Sequence, residues 1–418
     1  MFNKRLLIIF GLVMTMVLSF SLFANADEEV EVFSWWTGGG EEEGLQALIE
    51  VFEEEYPDIE FINATVAGGA GTNAKQVLQT RMIGEDPPDS FQVHGGAELI
   101  DTYVKTGMME PVNDLLDEWG ITDKFNKQIL EMSSYEDEYY SIPLTVHRSN
   151  IVFYNKEIID KYDIEEPEDL DGFIEVLEEL DEADEDIAPL ALGDKQKWEA
   201  THLFEGVLLA ALGPEKYNGL WDGSTSFEDP GVGEAIEKYN EIVQYVNKDH
   251  ASLTWQDATQ LVNEGDAAFI VMGDWAEGYL KQLDWEPAED FGWMPVPGSQ
   301  ESFMVITDTF GLPKGAPNPE AAKSFLRLVA SKKGQDTFNP IKGSIPARTD
   351  ADKDLYDAYL TSSMEDFAED TLTPSIAHGS AAPEGFLNEL NDIINELVSE
   401  GDTEKAWDDI VQAADEYL

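Results

Sequence analysis

Val30-Glu31-Val32-Phe33-Ser34-Trp35-Trp36-Thr37-Gly38-Gly39-Gly40-Glu41 opens the first periodic segment of the chain. Val30, Val32 and Phe33 are β-formers, and downstream Leu45, Leu48, Ile49 and Phe52 recur at i, i+3, i+4 and i+7. The stretch therefore reads as a strand that hands over, through a glycine run, to an amphipathic helix. Open α/β folds place their ligands at such strand ends. Two adjacent indoles and a carboxylate sit at this one. Flat aromatic faces meet the apolar C–H faces of a pyranose, and a carboxylate beside them accepts its hydroxyls. The competing reading is that one or both tryptophans are ordinary core residues.

Strand and helix signals keep alternating beyond this unit. Residues 59–66 read as a strand, 74–82 as a helix, and 89–94 as a strand after the turn-forming Pro87-Pro88. Helices are expected over 97–106, 112–119, 200–212 and 233–247, and an acid-faced one within 165–186. Alternation of this kind predicts an α/β sandwich with a largely parallel sheet. Two extended stretches, 139–155 and 291–312, read as crossings, the first a hinge candidate. A helix over 319–330 carries Pro319 at its first position and Asn318 as its expected cap. The tail from 386 to 418 is helical in period, and no fixed-period repeat is evident.

Residues 1–26 read as a secretory leader: Lys4 and Arg5, an apolar run from Leu6 to Phe20, then the small-x-small site Ala24-Asn25-Ala26. The run is short for a membrane span. The mature chain is expected to begin near Asp27 and to work in a periplasm. There is no cysteine, which excludes disulfides, thiolate metal sites and the acylated anchor of an exported lipoprotein. A chain of 418 residues suits two domains rather than one core. The formal charge of −61 is spread along the whole length. Such a surface repels itself at low ionic strength and relaxes when molar salt shortens the screening length to ~3 Å. This implies a high-salt habitat and excludes nucleic acid and anionic lipid surfaces as partners.

Enzyme motifs are absent. The five histidines, His94, His147, His202, His250 and His378, show no metal-binding pair spacing, and no HExxH occurs. Gly68, Gly69 and Gly71 mimic a phosphate loop, but no Lys-Ser/Thr follows them. With 86 acids some carboxylate pair is inevitable, so a glycosidase pair cannot be read from abundance. More telling are Met272-Gly273-Asp274-Trp275 after the apolar strand 267–271, the turn Lys342-Gly343-Ser344-Ile345-Pro346, and His378 in the loop Pro374-Ser375-Ile376-Ala377-His378-Gly379. Trp275 has the packed-core alternative, Lys342 a local ion pair, and His378 a structural role.

Together these segments resemble the extracellular solute-binding proteins of ABC importers, in the glucose-binding branch of the sugar-binding group. The resemblance rests on Trp35-Trp36-Thr37 with Gly39-Gly40-Glu41, Ala67-Gly68-Gly69 with Gly71, His147-Arg148, and the Trp275, Lys342 and His378 segments, in that order along the chain. It implies a two-lobed α/β fold, each lobe a sheet flanked by helices, joined by hinge strands. The first lobe would take 27–146 and 303–345, the second 147–302 and 346–418. Trp35 and Trp36 would supply one stacking face and Trp275 the other, with Glu41, Asp308, Lys342 and His378 bonding to ring hydroxyls. Two positions depart from the pattern: the family's lysine after the third strand is His94 here, and an asparagine before Asp308 is Ile306. His94 still belongs to the expected sugar-binding set. The resemblance implies a non-catalytic, monomeric receptor that needs no cofactor or metal. It would capture glucose or a close epimer and deliver it to ABC permease subunits at the inner membrane. The alternatives are an oligosaccharide receptor and a secreted glycoside hydrolase.

Overall fold

The computed structural model describes residues 28–418; the leader expected over 1–26 lies outside them. In chain order the strands begin with β1 (Glu28–Ser34), β2 (Ile59–Thr65), β3 (Ser90–His94) and a hairpin of β4 (Ser134–Tyr135) with β5 (Glu138–Tyr139). Then β6 (Ser141–Pro143), β7 (Thr145–Arg148) and β8 (Ile151–Asn155) follow almost without a break. Helices separate β9 (Ala188–Ala191) from β10 (Ala267–Val271). A second near-continuous run comprises β11 (Phe291–Pro295), β12 (Ser302–Ile306) and β13 (Asp308–Gly311), and β14 (Ile345–Pro346) and β15 (Thr371–Pro374) follow.

These strands build two α/β lobes and a crossing between them. One lobe holds the sheet β2-β1-β3-β13-β6, the other β11-β8-β10-β9, and β14-β7-β12-β15 forms the crossing. The chain leaves the first sheet through β7 and returns through β12. The extended stretches expected over 139–155 and 291–312 are these two passages. The sheets are mixed rather than largely parallel. β1 runs parallel to β2 and β3, and β10 to β9, but β13 lies antiparallel to both β3 and β6. Strands that arrive directly from the crossing have no helix to turn them round, so they enter reversed.

Packing explains Gly40, the last glycine before Glu41. The helix Gly39–Glu55 buries Leu45, Leu48, Ile49 and Phe52. Its first turn presses on the helix Lys332–Lys342, where a Cβ at Gly40 would stand 2.6 Å from the Ile341 carbonyl oxygen. Any side chain there would force the two helices apart. The sequence pattern shows only the turn at 342–346 and not this second helix before it. Pro340 inside the helix obscures its period, and Gly343, at φ 84°, ends it in the left-handed conformation that glycine accepts. The helix Pro319–Val329 forms as expected, but Asn318 makes no side-chain cap. Its backbone N–H and its amide instead donate to the Asp89 carboxylate, a buried group that competes successfully for them.

The second lobe has its own core, in which Phe204, Tyr239, Phe269 and Ile394 meet. The helices Glu384–Glu400 and Thr403–Tyr417 pack on that side, against the helices Trp198–Asp222 and Pro230–Ile242. Among residues 28–418 no helix is long and apolar enough to cross a membrane.

With 25 basic residues against 86 acids, most surface carboxylates have no cation to pair with. Raising KCl from about 10 mM to about 1 M shortens the screening length from about 30 to 3 Å. The thermal midpoint should therefore climb with salt. A midpoint that stays level across this range would mean the surface acids do not strain the folded state.

Candidate functional site

A cavity with about 350 Å³ of empty space, open solvent at its mouth included, lies where the two lobes and the crossing meet. Its floor is a chain of charges. On β13, Asp308 Oδ1 accepts from Gln92 Nε2 at 2.7 Å, and Oδ2 accepts from His147 Nε2 at 3.1 Å and Thr145 Oγ1 at 3.3 Å. Burial opposes a charge here, yet these donors and the nearby cations hold the Asp308 carboxyl far below the usual carboxylate range. His147, on β7, faces a carboxylate with each ring nitrogen: Nδ1 meets Asp274 and Nε2 meets Asp308. Asp274 also accepts from the Arg148 backbone N–H at 3.0 Å. Burial and the Lys342 charge push the imidazole pKa down, but Asp274 and Asp308 outweigh them and raise it. His147 is thus an imidazolium that donates to both lobes.

One wall is the ion pair between Lys342 and Glu41, 3.1 Å apart. Lys342 is 1 % exposed. It reaches the cavity from the last turn of the helix Lys332–Lys342, with its backbone pressed so closely against the helix Trp275–Gln282 that a Cβ at Gly278 would stand 2.3 Å from its carbonyl oxygen. Withdrawal from water raises the Glu41 carboxyl, and the Lys342 charge restrains the rise. A second charged set stands behind His94, whose Nδ1 lies 2.8 Å from Glu98 while Lys75 binds the same oxygen at 2.7 Å. Burial raises the Glu98 carboxyl, and these two neighbours more than reverse that.

Indoles line the remainder. Trp35 packs on His94 with ring centroids 4.9 Å apart. Across the cavity Trp275 meets His378 at 5.0 Å, and Trp198 meets His378 at 5.3 Å. His378 Nδ1 lies 3.0 Å from Ser375 Oγ, while its Nε2 and the Trp198 indole N–H are buried with no partner in the protein. Burial, then the surrounding His202, His94, Lys75 and His147, push the His378 pKa well down.

Trp35, Glu41, His94, Trp275, Asp308, Lys342 and His378 all line the cavity, as does Ile306. Trp36 does not. It faces away from Trp35 into the first lobe's core, against Phe338 at 4.6 Å and Phe310 at 5.6 Å, and the Lys342 ammonium lies 5.5 Å from its ring. Successive side chains of an extended segment point to opposite sides, so adjacent tryptophans cannot share one stacking face. Sequence reasoning missed Trp198 and Trp255, which also line the cavity. The first opens a helix whose period suggests a start at residue 200; starting it at Trp198 would have shown the same helix-opening tryptophan as Trp275.

Comparison with known proteins gives the family and the fold. The profile of the bacterial extracellular solute-binding proteins matches residues 38–336. An uncharacterized ABC transporter extracellular-binding protein of Pyrococcus horikoshii is 42% identical over 92% of this chain and 87% of its own length. A xylose/arabinose-binding protein of Haloferax volcanii is 30% identical over 85% of this chain and 77% of its own. Among solved structures, the bacterial solute receptor AcbH, described as having an exclusive preference for β-D-galactopyranose, aligns with a TM-score of 0.81 at 19% identity, covering 94% of this chain and 98% of that one.

The charge chain through His147 carries a pH signature. Its folded pKa is raised, so its stabilisation is complete below the unfolded imidazole value of about 6.5 and fades as pH climbs through the higher folded value. His147→Gln strands two buried carboxylates and should cost about 3–5 kcal/mol in acid and neutral solution. In denaturant titrations the gap to wild type should narrow as the solution becomes alkaline. A gap constant with pH would mean that His147 is not held as a cation.

Proposed function

The chain belongs to the bacterial extracellular solute-binding proteins, and from that premise we propose that it is the receptor of an ABC importer for a single pyranose, glucose or a close epimer. The observation that carries this reading is the cavity itself. Indoles of Trp35, Trp198, Trp255 and Trp275 surround a concave space between the lobes, mostly aromatic with a few convergent polar groups, the make-up of a small-molecule site. Their faces suit the C–H faces of a sugar ring, and Glu41, Asp308, Lys342, His94 and His378 supply acceptors and donors for hydroxyls. Trp36 acts only indirectly, by supporting Lys342 from beneath.

We assign 27–146 with 303–345 to one lobe and 147–302 with 346–418 to the other; every internal boundary falls within the strands of the crossing sheet. Trp35, Glu41, Asp308 and Lys342 then belong to the first lobe, and Trp275 and His378 to the second. A ligand that touches both favours the closed arrangement, and the closed arrangement is what permease subunits recognise. On this reading the mature chain starts near Asp27 and works as a monomer outside the inner membrane in a saline medium, with no catalytic step and no cofactor.

A receptor for longer sugars is the second reading. An open groove adjoins the cavity and shares Ala70 and Trp198 with it. Amide side chains of Gln76, Gln79, Gln196, Asn388 and Asn391 line it, donors and acceptors suited to further sugar units.

Calorimetric titration of residues 27–418 in molar salt with glucose, galactose, mannose, xylose, arabinose, maltose and trehalose separates the two. One-to-one binding of a hexose supports the first reading, and binding of disaccharides alone moves the function to the second. Heat from neither class would overturn both. Trp275→Ala should weaken the bound sugar by at least about tenfold, or about 1.4 kcal/mol; affinity kept within a factor of about two would remove stacking between the lobes from the mechanism.

A further inference from the structure

Glu205 lies in the helix Trp198–Asp222, fully buried, one step behind the cavity wall. Its partners are all donors. Ser149 Oγ donates to Oε1 at 2.5 Å, and Ser375 Oγ lies 2.9 Å from both oxygens. The backbone N–H groups of Ile376 and Ala377 donate to Oε2 at 2.8 and 2.9 Å. Backbone N–H groups cannot reverse, so Oε2 must accept.

The consequence runs through Ser375. Burial raises the Glu205 carboxyl to about 7, and above that it is an ionised acceptor that takes the single proton of the Ser375 hydroxyl. The Ser375 lone pair that remains faces His378 Nδ1 at 3.0 Å, so Nδ1 must carry the imidazole proton. His378 is buried among Trp198, Trp275 and other histidines, which keeps it neutral, with a single proton to place. Its Nε2, buried with no partner in the protein on a ring that lines the cavity, is then a bare lone pair.

We propose that Glu205, acting through Ser375, is a positioning residue that locks His378 in the Nδ1–H tautomer, so that the cavity presents an acceptor and selects a ligand with a free hydroxyl at that point. An ether, a carbonyl or a carboxylate oxygen there would meet lone pair with lone pair. The role of His378 as a ligand contact rests on the sugar-receptor reading; the relay behind it does not.

His202, Glu205 and His378 also stand close enough to hold a metal ion, with ligand atoms within 4.8 Å of one another. The hydrogen bonds decide against that use. Glu205 already accepts from four groups, and Ser149 Oγ, having given its proton to Glu205, faces His202 Nδ1 at 3.3 Å just as Ser375 faces His378. A cation held between Glu205 and the two Nδ1 atoms would have to displace both serines and deprotonate or turn both rings.

The test has two arms. Nitrogen-15 NMR of histidine-labelled, ligand-free protein in mildly alkaline solution should show His378 with a protonated Nδ1 and an unprotonated Nε2. In Glu205→Gln the carbonyl must face Ile376 and Ala377, so the amide NH2 donates to the serines. Ser375 then donates to His378 Nδ1, and the proton should move to Nε2. Ser375→Ala, which leaves Glu205 intact, should abolish the single fixed tautomer and serves if the first variant fails to fold. A protonated Nε2 in wild type, or a tautomer indifferent to both substitutions, overturns the relay.

The second arm titrates the monodeoxy-monofluoro glucoses, one for each hydroxyl, because fluorine accepts but cannot donate. One analogue should lose about tenfold or more against wild type and recover in Glu205→Gln. Equal penalties in both proteins overturn the selection. Failure of every glucose derivative to bind would overturn glucose as the ligand, while the NMR spectra would still decide the relay.

Discussion

The charge chain Asp274–His147–Asp308 is the constraint around which the rest is arranged. It joins a residue of the second lobe, a residue of the crossing and a residue of the first through one buried imidazolium. A buried cation with two carboxylates is costly to desolvate and still more costly to break. Its position on β7 therefore ties the crossing to both lobes at the floor of the cavity. The remaining polar groups are arranged around it: Gln92 and Thr145 satisfy Asp308, and the Arg148 backbone satisfies Asp274.

Close backbone packing places the other half of the site. Lys342 comes from a helix far along the chain, yet it meets Glu41 because Gly40 and Gly278 let its backbone fit between two other helices. Gly40, in the run after the tryptophans, therefore serves helix packing. Trp36 contributes from the core side, below the ammonium. A side chain that looked like half of a stacking platform is part of the support for a charge.

The surface and the interior follow opposite electrostatic rules. Outside, acids outnumber bases several-fold, and salt weakens their mutual repulsion. Inside, every charge at the cavity has a named partner, and Glu205 is held by four donors without any cation. The surface can change its balance with the medium, whereas the interior cannot, because an unpaired buried group is penalised in full. On the proposed relay, ligand selectivity rests with directional hydrogen bonds behind the wall rather than with net charge.

Sequence alone determined what depends on local order. The period of Leu45, Leu48, Ile49 and Phe52 marked a helix, the extended runs at 139–155 and 291–312 marked the passages between lobes, and the family resemblance carried by the order of the Trp35, Glu41, Trp275, Lys342 and His378 segments pointed to one cavity. Tertiary structure alone decided how side chains are shared between cavity and core, because that depends on which face of a strand meets which distant helix. It turned Trp36 inward, brought Trp198 and Trp255 into the wall, and reversed β13 within the first sheet. It also decided the chemistry of the histidines. His147 and His378 are the same residue type, and no spacing in the chain distinguishes them. One is flanked by two carboxylates and is charged; the other is backed by a hydroxyl whose proton is already given away, and is neutral. Protonation is set by neighbours in space, and those neighbours are brought together only by folding.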